Sequence, residues 1–439
     1  MASSKPEWEV LGAFSIDEEG HYKNDKSQRR FLVESVNDHL DFNFLEGIDG
    51  YIARKRRKFT SSPLTQVLEW IQDHNEELIQ NRVLENEVGG TRKMNVDFVG
   101  SGNVFSLLLR ACETIDLVEI LVRRDHGTLY IETSTRSNPQ KREARVPQPL
   151  LHVRPQLNVQ SQYPRMRCSG RRPVARTGAP APRSTRGARA GRSVGRPARR
   201  SGESRRTSIL TVPEPNEKRK AEFAGKKFST CVTTIDDGGV PSGDEPVNVY
   251  AKYMTVTKMK FGEHIILQSN EVHAERSHGS DSVMTSPENC VLFRTKKAHL
   301  DGKALMNFNR YNTMRWWSQA YIAGVPEILC GMRDDRAHQI KSVKTMKVED
   351  LPGMSGGFWD PRMCRKKFRK YLSDIKRLIT KDNPRVVYRL ELPEVRLGPK
   401  IKERLQSRTF IISEEDMNEN LVTIPDQYRR EVLCIREGV

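Results

Sequence analysis

From Arg165 to Arg206 the chain holds fourteen arginines, no lysine and a single acid, Glu203. The run "GRRPVARTGAPAPRSTRGARAGRSVGRPARRSGESRR" supplies almost no aliphatic or aromatic side chain. Such a segment buries too little apolar surface to offset the entropy lost on ordering. The composition therefore predicts a disordered basic insertion at 141–210, flanked by globular stretches at 1–140 and 211–425, with a tail at 426–439. The insertion has four readings: an Arg-rich RNA-binding tail, a nuclear import signal, a solvated loop without specific role, or a G/C-rich stretch translated by a wrong gene model. The run carries +13 of the net +18, which leaves +5 for everything else. The pI of about 9.6 thus describes the insertion more than a basic folded face.

With 439 residues, 36% of them hydrophobic, the remainder can form one large core or two ordinary ones. No stretch of about 18 apolar residues is present, so no membrane-spanning helix is expected. "MASSKPEWEVLG" lacks the basic and then apolar order of a secretory signal. Seven scattered cysteines, an odd number with no CxxC pair, point to a reducing compartment and away from structural zinc.

"WEVLGAFSI", "GTLYIETS", "EHIILQS", "NCVLFRT", "PEILCGMR" and "PRVVYRLEL" read as strands, rich in β-branched and aromatic residues between turn signals. "SSPLTQVLEWIQDHNEELIQNRVLENE" reads as a helix, with Ser62 as cap, Pro63 at its first position and Leu64, Val67, Leu68 and Ile71 as its apolar stripe. "NVFSLLLRACE", "LMNFNRYNTMRWWSQAYI" and "DPRMCRKKFRKYLSDIKRLIT" are also helical, the last capped by Asp360 before Pro361. The expected fold class is α+β, with mixed central sheets flanked by helices.

The strand "CVLFRTKK", Cys290 to Lys297, raises a chemical question. Strands that line nuclease pockets carry a carboxylate, a spacer and a lysine, because side chains two apart share a face. Here the two positions read Leu292 and Arg294.

Three stretches give that question a context. "GAFSIDEEGHYKNDKSQRRF…LDFNFLEGIDGY", "NRYNTMRWWSQAYIAGVPEILCGMRDD…IKSVKTMKV" and "KDNPRVVYRLEL" together resemble the decapping exoribonuclease family. Trp316-Trp317 with Gly324-Val325-Pro326 is the most specific block. The resemblance implies nuclear enzymes that hydrolyse incompletely capped or triphosphorylated RNA 5′ ends. It also implies Mg²⁺ or Mn²⁺ held by converging carboxylates, which activate water and neutralise charge on phosphate.

Carried over position by position, the resemblance implies a site that has lost most of its ligands. Gly102 in "DFVGSGNVF" stands where the family has an Arg, and Ser229 in "AGKKFST" where it has a helix-borne Glu. In "NEVHAE" Glu271 is retained, while His273 replaces an Asp. An alternative register on "GEHII" gives Glu263 and Ile265. Leu292 and Arg294 replace Glu and Lys, and Gln319 is retained. Too few oxygen donors then persist for a metal, and the expected cofactor is none. The likeness is greatest to the inactive insect germline branch of the family. That implies an RNA 5′ end as ligand, a nuclear role at piRNA-producing loci, and Rhino- and Deadlock-type chromatin proteins as partners, with no membrane.

Two rival classes stay open: an active hydrolase using Glu271, His273 and Glu288, and an interaction scaffold without RNA contact. Arg294 reads equally as a contact for RNA phosphate or as a salt-bridge partner of Glu271. His273 is better read as a satisfied half-buried histidine than as a ligand. Trp316 and Trp317 are better read as core than as base-stacking platforms. Cys231 and Cys290 lie near the former site, with nothing marking either as a nucleophile.

Overall fold

β-branched and aromatic residues in "KYMTVTKMKF" and "HIILQSNEV" build a long antiparallel hairpin, Lys252–Phe261 with His264–Val272, turned at Gly262 with φ 64°. This hairpin sits inside the larger of two sheets. The computed structural model describes residues 6–33, 42–51, 62–134, 217–241, 243, 246–276, 286–396, 398–415 and 424–435. The insertion at 141–210, and with it the readings of that segment, lies outside the described residues. All described residues belong to one compact unit, assembled from Met1–Ser137 and Pro215–Val439.

Among the described residues the larger sheet has nine strands. In spatial order they are Ile411–Glu415, Asn383–Leu392, Val118–Asp125, Thr128–Thr133, Phe98–Ser101, His264–Val272, Lys252–Phe261, Glu7–Ile16 and Tyr22–Lys23. The sheet is mixed, since Phe98–Ser101 runs parallel to both of its neighbours. The second sheet has seven strands, Thr233–Thr234, Phe31–Leu32, Ala274–Arg276, Cys290–Lys297, Glu327–Asp334, Gln339–Lys347 and Phe42–Asn43. With helices on their faces, the two sheets form the mixed α+β fold expected from the sequence.

One strand passes from sheet to sheet. Val272 pairs with Tyr253 in the larger sheet, and Ala274 pairs with Val291 in the smaller one. His273 is the residue at the crossing, and its N–H donates to Val291 O at 3.2 Å. Sheets that share a strand but diverge there leave a wedge between them, and the cavities described below open on this crossing.

Helices close the remaining faces. Pro63–Asp73 is capped by Ser62 Oγ accepting from Thr65 N–H, and it buries Leu64, Val67, Leu68 and Ile71 as its spacing predicts. The expected longer helix breaks at His74, whose ring stacks on Trp70 with centroids 4.6 Å apart. A short helix, Asn75–Gln80, follows, and Leu84–Asn86 is strand. Pro361–Leu378 starts at Asp360, which accepts from Arg362 N–H. Thr313–Ala323 ends at Gly324, with φ 74°. A Cβ on Gly324 would come within 2.9 Å of Pro287 and 3.0 Å of Trp8, so glycine is required twice over. Trp316 and Trp317 are both buried on this helix. Trp317 lies 5.1 Å from Tyr321 and 5.0 Å from Trp359, and Trp316 packs edge-on to Phe308.

The end of the chain departs from the expected tail. Asp426–Glu431 is a helix, and Tyr428, Val432 and Leu433 are fully buried against the Pro63–Asp73 helix and the larger sheet. The Tyr428 hydroxyl lies 3.2 Å from that of Tyr130, and Arg429 Nε donates to Asp125 at 2.8 Å. Three apolar residues at helical spacing in a short charged segment were enough to anchor it. Tyr428→Ala is expected to destabilise the protein by about 3–5 kcal/mol in urea unfolding, as for other buried aromatic truncations. A residue in a tail would show no change.

Candidate functional site

Side chains alternate along a strand, so Glu271 and His273 project to the same side at the sheet crossing. The Cys290–Lys297 strand pairs beside them: Ala274 faces Val291, and Leu292 and Arg294 follow on the pocket side. Val291 and Phe293 turn the other way, into a core with Ala224, Phe228 and Leu329. Two cavities open on Glu271 and His273. The first, about 320 Å³, is lined by Gly102, Leu292, Arg294, Arg315, Gln319 and Asn270 among others. The second, about 350 Å³, contains Ser229 with Lys226, Lys252, Thr230 and Arg30. The structure thus brings together all seven positions singled out in the sequence. The alternative register fails on distance. Glu263 lies in the hairpin turn, eight residues and about 26 Å of strand from Glu271, and pairs with His264 and Arg369.

Glu271 is enclosed by cations. Lys252 Nζ approaches one oxygen at 2.8 Å, Lys226 Nζ the other at 3.3 Å, and His273 Nε2 stands 3.8 Å away. Burial opposes the charge, but Lys252 and Lys226 outweigh it and hold the carboxyl well below its ordinary range. Lys226 comes from the Glu217–Val232 helix, one turn before Ser229, and Lys252 begins the neighbouring strand.

His273 is neutral. Burial is the main cause that drives its pKa down to about 3; Glu271 opposes this, while Arg294, Lys226 and Lys252 add to it. Its Nδ1 accepts the Phe293 N–H at 2.9 Å, and its ring stacks on Phe293 with centroids 5.6 Å apart. An Nδ1 that accepts leaves the proton on Nε2. The remaining nitrogen therefore has no lone pair to offer a cation.

Arg294 does not pair with Glu271 as one reading of the sequence had it. Nη1 donates to Phe293 O at 2.7 Å and Nη2 to Gln319 Oε1 at 2.9 Å. Two lysines already engage Glu271, and the Gln319 amide oxygen accepts from Arg294 without bringing a second charge. Burial lowers the Arg294 pKa to about 10, so the guanidinium stays charged at neutral pH. Its bond to Gln319 also fixes that amide.

Gly102 is closed by its neighbour. A Cβ there would lie 1.9 Å from Asn270 Oδ1, and Asn270 is held by a 3.3 Å bond from Nδ2 to Thr257 Oγ1. Leu292 belongs to the main hydrophobic cluster. Glu288 sits exposed on the Pro287–Asn289 turn and lines neither cavity. Cys290 is buried, which raises its thiol pKa well above the usual range, and Cys231 lines neither cavity.

Sequence reasoning missed Lys226, Lys252 and Arg315. Lys226 lies three residues before Ser229 on one helix face, a spacing that was available. Lys252 and Arg315 carried no local signal, because only strand pairing and helix docking bring them here.

The chain matches the family described as "RAI1 like PD-(D/E)XK nuclease" over residues 7–163 and 198–415. It belongs to that family. The decapping and exoribonuclease protein of Xenopus laevis is 30% identical over 176 residues, 39% of this chain and 43% of the frog protein. The human protein of the same name is 26% identical over 174 residues, again 43% of its length. The chain therefore matches less than half the length of these relatives. Candida albicans Rai1, solved with pU5 and Mn²⁺, superposes with TM-score 0.67 at 13% identity, covering 99% of this chain and 97% of that one. Scheffersomyces stipitis Rai1, solved with (3′-NADP)⁺ and a calcium ion, gives 0.66 at 17% identity with the same coverage. These likenesses extend the shared fold over the whole described chain.

The donor set here does not fit such a cation. Hard divalent ions require several oxygen ligands close together. At this crossing the Glu271 carboxylate is capped by two ammonium groups, the imidazole nitrogen facing it carries a proton, and Leu292 has no lone pair. Among the described residues no three His, Cys, Asp or Glu side chains converge on one point. The two cavities gather five cations, Arg30, Lys226, Lys252, Arg294 and Arg315, against two carboxylates, Glu18 and Glu271. The arrangement is built to attract an anion.

Two measurements check this geometry. A histidine whose folded pKa is lowered contributes full stability above its unfolded value near 6.5, and loses it as pH falls toward the folded value of about 3. Stability should thus decline between roughly pH 6 and 4, at up to about 1.4 kcal/mol per pH unit from this group. His273→Gln should flatten that part of the profile, while the contribution of His264, also lowered by burial, persists. Gly102→Ala should cost about 1–3 kcal/mol by overpacking, and much of that loss should disappear in the Asn270→Ala background, a coupling read by a double-mutant cycle.

Proposed function

We propose that this chain is a catalytically inactive relative of the decapping nucleases that holds an RNA 5′ end without cutting it. One observation supports the reading: the pocket wall presents Leu292 and Arg294, and on this reading they occupy the places of the acid and the lysine in the family's (D/E)XK pattern. On this reading Gly102, Ser229 and His273 are three further replaced positions, and Glu271 and Gln319 are retained ones. The frame around them persists because its core does not depend on the ligands.

Within the first cavity, Arg294 and Arg315 supply charge for a 5′ phosphate. The guanidinium of Arg294 has five N–H groups, of which Phe293 O and Gln319 take two. The remainder are free to meet phosphate oxygens. An end held there is shielded from active decapping enzymes, which blocks its decapping, the termination that follows, or its splicing. The pattern of replacements resembles that of Cutoff, an insect germline member of the family lacking metal ligands. By that likeness the protein acts in the nucleus at piRNA-producing loci, with Rhino- and Deadlock-type chromatin proteins as partners.

Purified protein incubated with 5′-triphosphorylated RNA and Mg²⁺ or Mn²⁺ should release neither pyrophosphate nor nucleotides. Metal-dependent release would return it to the active enzymes. In filter binding, 5′-monophosphorylated RNA should bind more tightly than 5′-hydroxyl RNA, with an affinity that falls as salt rises. Arg294→Gln should lower the affinity about tenfold, as loss of a charged hydrogen bond does. Equal weak binding by wild type and variant would favour a scaffold without RNA contact.

A further inference from the structure

The second cavity is not needed by this reading. It lies across the Glu271–His273 wall from Arg294, and polar and apolar residues share its lining, with Lys226, Lys252, Arg30, Ser229, Thr230 and Asn248 among the polar ones. We propose that it is a second phosphate subsite, independent of metal, in which the ammonium groups of Lys226 and Lys252 provide as fixed side chains the positive charge that a divalent cation provides elsewhere. The proposal rests on the assignment of this chain as a non-catalytic member of its family, and it adds a ligand site that the RNA-end pocket does not require.

Three observations support it. First, each ammonium has three N–H donors, and Glu271 engages one from each lysine. Two donors per lysine are left unused by Glu271. Second, Glu271 fixes both heads. Its two oxygens hold one lysine each, at 3.3 Å and 2.8 Å, so the lysines are ordered before any ligand arrives. Preorganised charge costs a ligand less ordering than mobile charge does. Third, His273 is neutral, so it adds neither attraction nor repulsion. A volume of about 350 Å³ accommodates a phosphate or diphosphate with part of an organic group. The ligand class is therefore a phosphomonoester or pyrophosphate, with Ser229 and Thr230 as neutral donors.

A metal-dependent site and a lysine site respond oppositely to loss of the carboxylate. Where the carboxylate holds a cation, removing it weakens anion binding. Where it only partly neutralises two lysines, removing it strengthens anion binding. The experiment uses the full chain and inorganic pyrophosphate, followed by calorimetry. In EDTA, wild type should bind pyrophosphate, and Mn²⁺ should change the affinity by less than about twofold. Glu271→Gln keeps an oxygen that accepts from a lysine head but removes the opposing charge, so it should bind about threefold to tenfold more tightly. The triple variant Lys226→Met, Lys252→Met, Glu271→Gln buries no unpaired charge, so it is expected to fold, as circular dichroism would check, and it should lose binding. Binding that requires Mn²⁺, weaker binding by Glu271→Gln, or no binding by wild type in either buffer each overturns the proposal. RNA cleavage and the Arg294→Gln comparison test the parent reading separately, in the other cavity.

Discussion

The pairing of Glu271 with Lys226 and Lys252 determines what the cleft can be. A carboxylate half-buried in this cleft favours a counter-charge, and removing one partner leaves the other, partly desolvated charge unpaired. A metal ion meets that need in one way, and two ammonium groups meet it in another. Once the lysines are present, a cation approaching Glu271 meets two positive charges before it meets an oxygen. The lysines also join parts of the fold. Lys226 extends from the helix that covers the smaller sheet, while Lys252 and Glu271 belong to the larger one. The triad thus clamps the helix across the wedge between the sheets.

The rest of the crossing is adapted to the same charge pattern. At position 273 an imidazole takes a backbone N–H into its ring, completing the sheet transition where the ladder changes partners. A carboxylate there would accept the same N–H but would add negative charge beside Glu271. Leu292 continues the hydrophobic cluster that includes Trp316 and Cys330, so the floor of the first cavity is core rather than ligand. Asn270 closes the space above Gly102. Each of these residues is held by packing or by backbone contacts, so the fold can be stable without anything bound.

Much of this was legible in the sequence, for definite reasons. Ser62 before Pro63 and Asp360 before Pro361 mark helix starts through side-chain acceptors that the structure uses. Residues two apart share a strand face, which made Glu271 with His273 and Leu292 with Arg294 natural pairs before any coordinates. Charge partners were not legible. Arg294 was as easily assigned to Glu271 as to phosphate, and its bonds to Gln319 and Phe293 O depend on how a helix docks on a strand. Lys226 was passed over in a helix with several lysines, although its spacing from Ser229 placed it on the right face. The strand Val118–Asp125 escaped notice because arginines and acids interrupt its apolar run, and those side chains are paired inside the fold: Arg123 meets Glu132 at 2.9 Å. The terminal helix was missed because six residues give too little periodicity to separate a helix from a tail.

Arginine at 294 is a different choice from lysine, and the difference bears on mechanism. A lysine is a compact charge whose head rotates freely and whose pKa shifts readily when buried, properties suited to handling a proton. Arg294 stays charged despite burial that lowers its pKa to about 10, and two of its N–H groups are committed to Phe293 O and Gln319. A permanently protonated, fixed fork cannot give or take a proton in a reaction at neutral pH. It can orient an anion. Across the wall, Lys226 and Lys252 are fixed on a carboxylate that stays ionised. Arg294 stays charged and Glu271 stays ionised at neutral pH, an arrangement suited to recognising an anion.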